Sequence, residues 1–218
     1  MQTQEQQKPR SNETLQALIS EGQWLSLLLN NGKKYQPLLT FLLNKKDLKD
    51  YTIHGAVKRL ASGLNETQSK TSKWIEMIYN DLWELNYENP SLFNTNNQKE
   101  CVVSLHADLY KTSDSFTLYM NESFSIGNTF AWQFALPKLG IYHFYVESII
   151  HIHEKGKVKS YVTLRSGSYN AYREYLLDKL SFLDYLTLSE QHNPDKDEVD
   201  KFLKEKRWRA EITHIQSR

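Results

Sequence analysis

The sequence predicts an α+β protein: an N-terminal helical domain, an antiparallel β-barrel-like domain after it, and C-terminal helices. Two observations carry the prediction. Apolar residues recur at helical spacing from Glu13 to Glu88, and beyond residue 100 the pattern changes to alternation with a period of two. Composition agrees: 39% hydrophobic and 12% aromatic residues in 218 supply enough apolar surface for a core.

The elements follow in order. Residues 1–12 are polar and Gln-rich and read as a disordered tail. Leu15, Leu18, Ile19, Leu25, Leu28 and Leu29 mark a first helix, with Gly22 as its weak point and Asn30-Asn31-Gly32 as its stop. Pro37 sits near the start of a second helix carrying Leu38, Leu39, Leu42 and Leu43. A third runs from about Thr52 to Ser62 on Ile53, Ala56, Val57 and Leu60, and Gly63 ends it at a C′ position. The fourth runs from near Glu66 to about Tyr87. Its stripe is Thr71, Ile75, Ile78, Leu82 and Leu85, with Trp74, Tyr79 and Trp83 beside it, and Pro90 closes it. These elements form a helical domain over 13–88.

Residues 89–100 combine a proline with Asn, Gln, Ser and Thr, and read as a linker. Strands are expected at Val102–Tyr110, Phe116–Met120, Thr129–Leu136, Ile141–His153 and Val158–Arg165, separated by short turns. Five strands with short connections suggest an antiparallel meander closing toward a small barrel. A helix from Tyr169 to about Leu186 would pack on it, completing a domain over 101–190. Asn193-Pro194-Asp195 opens a final charged helix within 191–218, ending in Lys204, Lys206, Arg207, Trp208 and Arg209.

Charge and cysteine content exclude several classes. There are 27 basic against 26 acidic residues, for a net charge of +1, so no uniformly basic or acidic coat exists. The single cysteine, Cys101, can make no internal disulfide and no Cys-x-x-Cys zinc site. The N-terminal stretch lacks an apolar h-region, and no apolar run approaches the ~20 residues of a membrane span. A cytoplasmic protein with no membrane role is expected. Twenty Lys against seven Arg, with abundant Asn and Gln, suggest an AT-rich bacterial source.

Charge is segregated locally. From Leu43 to Ile75 seven basic residues (Lys45, Lys46, Lys49, Lys58, Arg59, Lys70, Lys73) face three acids (Asp47, Asp50, Glu66), a net of +4. From Glu76 to Glu88 there are four acids and no base. The third and fourth helices are joined by Gly63-Leu64-Asn65, with an apolar residue after the glycine to plug between them. The fourth helix opens Gln68-Ser69-Lys70-Thr71-Ser72-Lys73 and then turns apolar. Over about residues 52–86 this arrangement resembles a DNA-binding helix-turn-helix. The resemblance implies that the helix over 66–87 enters a major groove. Lys58, Arg59, Lys70 and Lys73 would then contact phosphates, and Gln68, Ser69 and Thr71 or Ser72 would meet base edges. The expected function is a DNA-binding transcriptional regulator, or an accessory protein of a mobile element or phage. It needs no catalytic residue and no cofactor, and the β-rich part would hold a homodimer or a protein partner.

Two other classes compete. The helical hairpin and the sheet could form a non-enzymatic protein-interaction module. Alternatively, His151 and His153 stand two apart on one strand, ~6.6 Å along it, close enough to share a metal in a β-barrel enzyme. No carboxylate follows at cupin-like spacing. Tyr110, Tyr119, Trp132, Tyr145 and Tyr161, interleaved with Lys111, Lys157, Lys159 and Arg165, could also stack on a single strand. On the expected strand 141–153 the even positions, Tyr142 through Ile152, read as the core face and the odd ones as the wet face.

Overall fold

The structure, a computed structural model, describes residues 10–29, 31–44, 55–94, 98–154 and 156–171, together with 175, 178, 179 and 182. The chain divides into two compact units, Met1–Gly167 and Ser168–Arg218. Of the second, Ala171, Tyr175, Asp178, Lys179 and Phe182 are helical, within the helix expected there. Residues 1–9 of the expected tail, the Lys45–Asp50 charges, the start of the third helix and the final charged helix lie outside the described residues, and the tail's Ser11 and Asn12 are corrected to helix.

The first unit is α+β, with the helices first and a curled sheet after them. Helix α1 (Ser11–Ser20) begins where the Arg10 N–H donates to Glu13 Oε2 at 3.0 Å. At Gly22 the chain tightens into a 3₁₀ turn, Gly22–Leu28, that turns Trp24, Leu25 and Leu28 inward. Helix α2 (Gln36–Asn44) buries Leu38, Leu39 and Leu42. Tyr35, just before it, donates to Asp81 of α4 (Gln68–Glu88), tying the two helices. Between them lies α3 (Ala56–Gly63), burying Ala56, Val57, Leu60 and Ala61.

Five strands follow: β1 (Lys99–Ala107), β2 (Thr112–Met120), β3 (Thr129–Ala131), β4 (His143–Glu154) and β5 (Lys157–Ser166). A short helix α5 (Leu136–Leu139) precedes β4. The order is β2-β1-β5-β4-β3, and β1 pairs with β5 in parallel. The expected antiparallel meander is therefore corrected to a mixed sheet. Alternation fixes which residues face inward. It does not fix which strands are neighbours. The parallel pair β1 and β5 lies inside the sheet with β5 at its centre, and its inward positions, Cys101, Val103, Leu105, Ala107, Val162 and Leu164, are all buried.

The sheet curls into a half-barrel. Laid flat, its edge strands would stand ~19 Å apart at ~4.8 Å per strand. Yet the ring of Phe116 on edge strand β2 lies 5.1 Å from that of Trp132, which follows the opposite edge strand β3. The concave side holds the second half of α4 and an aromatic cluster. Phe134 stands at its middle, with Trp24 at 5.3 Å, Tyr79 at 4.9 Å, Trp83 at 5.5 Å and Phe116 at 5.7 Å. Phe93, in the segment read as a linker, is buried here 5.2 Å from Trp24. The helices and the sheet thus share one core.

Helix α4 also covers an edge of the sheet. Asn86, 2% exposed, donates its Nδ2 to the Thr117 carbonyl at 2.9 Å and accepts the Thr117 N–H at 2.7 Å. One side-chain amide stands in for the strand that β2 lacks on that side.

A β-bulge at Glu147 reverses the face of β4. Val146 pairs with Leu164, and the next paired residue is Ser148, opposite Thr163. Glu147 and Ser148 both reach the outer face. Glu147 Oε1 lies 2.7 Å from Arg165 Nε, and Ser148 Oγ donates to Thr163 Oγ1 at 2.9 Å. Phe144 and Val146 face the core as expected, while Tyr142, just before the strand, is corrected to an exposed position. Past the bulge Ile149 packs inward, and Ile150 and Ile152 are exposed.

Candidate nucleic-acid interface

The joint between α3 and α4 is built from backbone hydrogen bonds. Glu66 N–H reaches the Ala61 carbonyl at 2.9 Å, and Asn65 N–H reaches Ser62 at 3.2 Å. This is a Schellman closure, and its left-handed residue is Asn65, at φ 54°. The expectation that Gly63 fills the C′ position is thus corrected: Gly63 is the last helical residue. Its glycine has a steric cause. A Cβ there would stand 3.2 Å from the Phe41 ring, inside ordinary contact distance. Asparagine tolerates the left-handed region better than most residues, which leaves the turn free of a second glycine.

Helix α4 then starts at Gln68 with Thr67 as its N-cap, whose hydroxyl accepts the Lys70 N–H at 3.3 Å. Thr67→Ala is expected to cost about 1 kcal/mol in urea unfolding, and Thr67→Ser to restore most of it. An unchanged midpoint for the alanine variant would show that the cap contributes nothing.

The expected site residues separate into three groups. Gln68, Ser69, Lys70 and Lys73 are exposed on the first turns of α4, with Ser72 half-buried beside them, and Lys58 and Arg59 are exposed on α3. Lys58 and Lys73 make no ion pair among the described residues. Lys70 is engaged: its Nζ lies 2.7 Å from Glu66 Oε1 and 4.9 Å from the centroid of the Trp74 ring. Thr71 is turned into the core, fully buried, with its hydroxyl on the Thr67 carbonyl at 3.0 Å. Its expected contact with a base edge is therefore corrected; Ser72 is the hydroxyl left facing outward. Periodicity held the signal, since Thr71 opens the apolar stripe that continues through Trp74, Ile75 and Ile78.

The other candidates fare differently. His151 and His153 are exposed, and His151 Nδ1 lies 3.0 Å from Ser160 Oγ. Among the described residues no three His, Cys, Asp or Glu side chains gather around one point that a metal could occupy. Cys101 is buried, and burial pushes its thiol up to about 11, which disfavours the thiolate a nucleophile needs. Of the five aromatics expected to form a stacking surface, Trp132 and Tyr145 are buried, which corrects that surface at both; Trp132 packs into the aromatic core. The Trp132 indole N–H donates to Glu21 at 2.9 Å, and burial raises the Glu21 pKa against that bond. No described helix is long and apolar enough to cross a membrane.

No family model, curated protein or solved structure matches the chain.

Proposed function

We propose that the protein binds duplex DNA through the α3–α4 hairpin, as a transcriptional regulator or as an accessory protein of a mobile element or phage. The observation that carries this reading is the division of α4. Its first turns expose Gln68, Ser69, Lys70 and Lys73, while its later turns are held in the core. A helix that offers its start to a groove needs its remainder anchored in this way. Lys58 and Arg59 flank that start from α3 and would set register on the phosphates. Ser69, Gln68 and Ser72 are the side chains left for base edges.

Fluorescence anisotropy with a labelled duplex over a salt series tests this. Affinity is expected to fall steeply with salt. The double variant Lys58→Ala/Lys73→Ala is expected to flatten the log–log slope by about 2, one counterion for each lost contact. Absent binding at low salt, or a slope that the double variant leaves unchanged, would sink the proposal. A protein-interaction face is the second reading. It is favoured by the Lys70–Glu66 pair, which already neutralises one of the cations. It predicts background binding to the duplex in both proteins.

A further inference from the structure

The two edges of the half-barrel are treated differently. The β2 edge is closed at Thr117 by Asn86. Among the described residues the other side is open for most of its length. Strand β3 pairs with β4 only from His143 to Tyr145, and Val146 adds bonds with Gly127 and Asn128. From Ser148 to Glu154, β4 bonds β5 on one side. No described residue hydrogen-bonds its other edge. These seven residues span ~24 Å of unpaired backbone at ~3.4 Å per residue.

Exposed edges are usually blunted by a lysine, a proline, a bulge or a covering element. The run Ser148-Ile149-Ile150-His151-Ile152-His153-Glu154 holds no proline and no lysine, and the bulge lies just before it. It is rich in β-branched residues. Ile150 is 58% exposed and Ile152 39%, both on the outer face.

We propose that the chain forms a two-fold dimer in which Ser148–Glu154 of one protomer pairs antiparallel with the same segment of its partner, joining two half-barrels into one continuous sheet. An antiparallel edge is self-complementary under a two-fold axis, so one segment supplies both halves of the interface. The pattern selects the centre. With the axis at His151, each Ile150 stands opposite the other copy's Ile152, making two isoleucine pairs on the outer face. Position 154 then stands opposite position 148 of the partner. The proposal rests on the sheet edge and is independent of the DNA reading.

Sedimentation velocity on the full chain over a dilution series tests it. A dimer that dissociates on dilution is expected. Ile150→Lys and Ile152→Lys place a gatekeeper charge on the edge at exposed positions, and each is expected to weaken association about tenfold or more. Hydrogen exchange on the unaltered protein gives a reading that does not depend on any variant folding. Amides within 148–154 should exchange faster as the protein is diluted, with those of β1 unchanged. A monomer at every concentration would overturn the proposal; it is the result expected if another segment of the same chain covers this edge. A dimer indifferent to both lysines, or concentration-independent exchange at 148–154, would place the interface elsewhere and overturn it equally. Loss of DNA binding with an intact dimer would reject the DNA reading alone.

Discussion

Phe134→Ala is expected to lower the unfolding free energy by about 3–5 kcal/mol, the range for deleting a buried aromatic ring. Phe134 is fully buried, and its ring meets those of Trp24, Tyr79, Trp83, Phe116 and Trp132 within 5.7 Å. Those neighbours come from the 3₁₀ turn after α1, from α4, from β2 and from the segment after β3. None can close the gap without pulling its own element out of place. Phe134→Leu keeps most of the volume and should cost less than half as much. Urea unfolding measures both. A loss under about 1 kcal/mol for the alanine variant would mean that the helices and the sheet do not share the core described.

Asn86→Ala is the second large effect, expected at about 2–3 kcal/mol. It leaves the Thr117 N–H and C=O without partners under a covering helix, and an unmet buried polar group costs more than a met one contributes. Asn86→Asp separates the two bonds. Its carboxylate still accepts from the N–H but sets a second acceptor against the carbonyl. Aspartate should therefore rescue little or nothing of the loss. A fully stable aspartate variant would show that the carbonyl bond has no weight. Thermal unfolding followed by circular dichroism decides it.

Much of this architecture is legible in the sequence. The α4 stripe, four of the five strand positions and the stop at Pro90 follow from spacing, because burial on one face writes a period into the chain; the strand expected over Thr129–Leu136 is corrected, since it ends at Ala131 and gives way to a 3₁₀ turn and α5. Neighbour relations leave no such mark. Cys101, Val103 and Leu105 alternate in the same way whether β5 or another strand lies beside β1, so the parallel pair is decided by tertiary packing. The bulge is the more instructive loss. A single extra residue at Glu147 exchanges the faces of β4, and Ile150 and Ile152 move from expected core to surface. The adjacent pair Ile149-Ile150 is its trace in the sequence, since strict alternation would not place two isoleucines side by side. At the candidate interface the exposed residues were readable from the polar start of α4. The burial of Thr71 is legible in the apolar stripe it opens, whereas the pairing of Lys70 with Glu66 depends on the turn geometry, which the glycine at 63 obscured by suggesting the wrong C′ residue.

The Asn86 amide also bears on how far assembly can run. A sheet with two open edges is a repeat unit: each added copy leaves a fresh edge, and growth has no natural end. A sheet with one open edge is half of a closed pair, since joining two copies consumes both available edges. In the proposed dimer, the β2 edge that α4 covers at Thr117 through Asn86 would keep the stoichiometry finite.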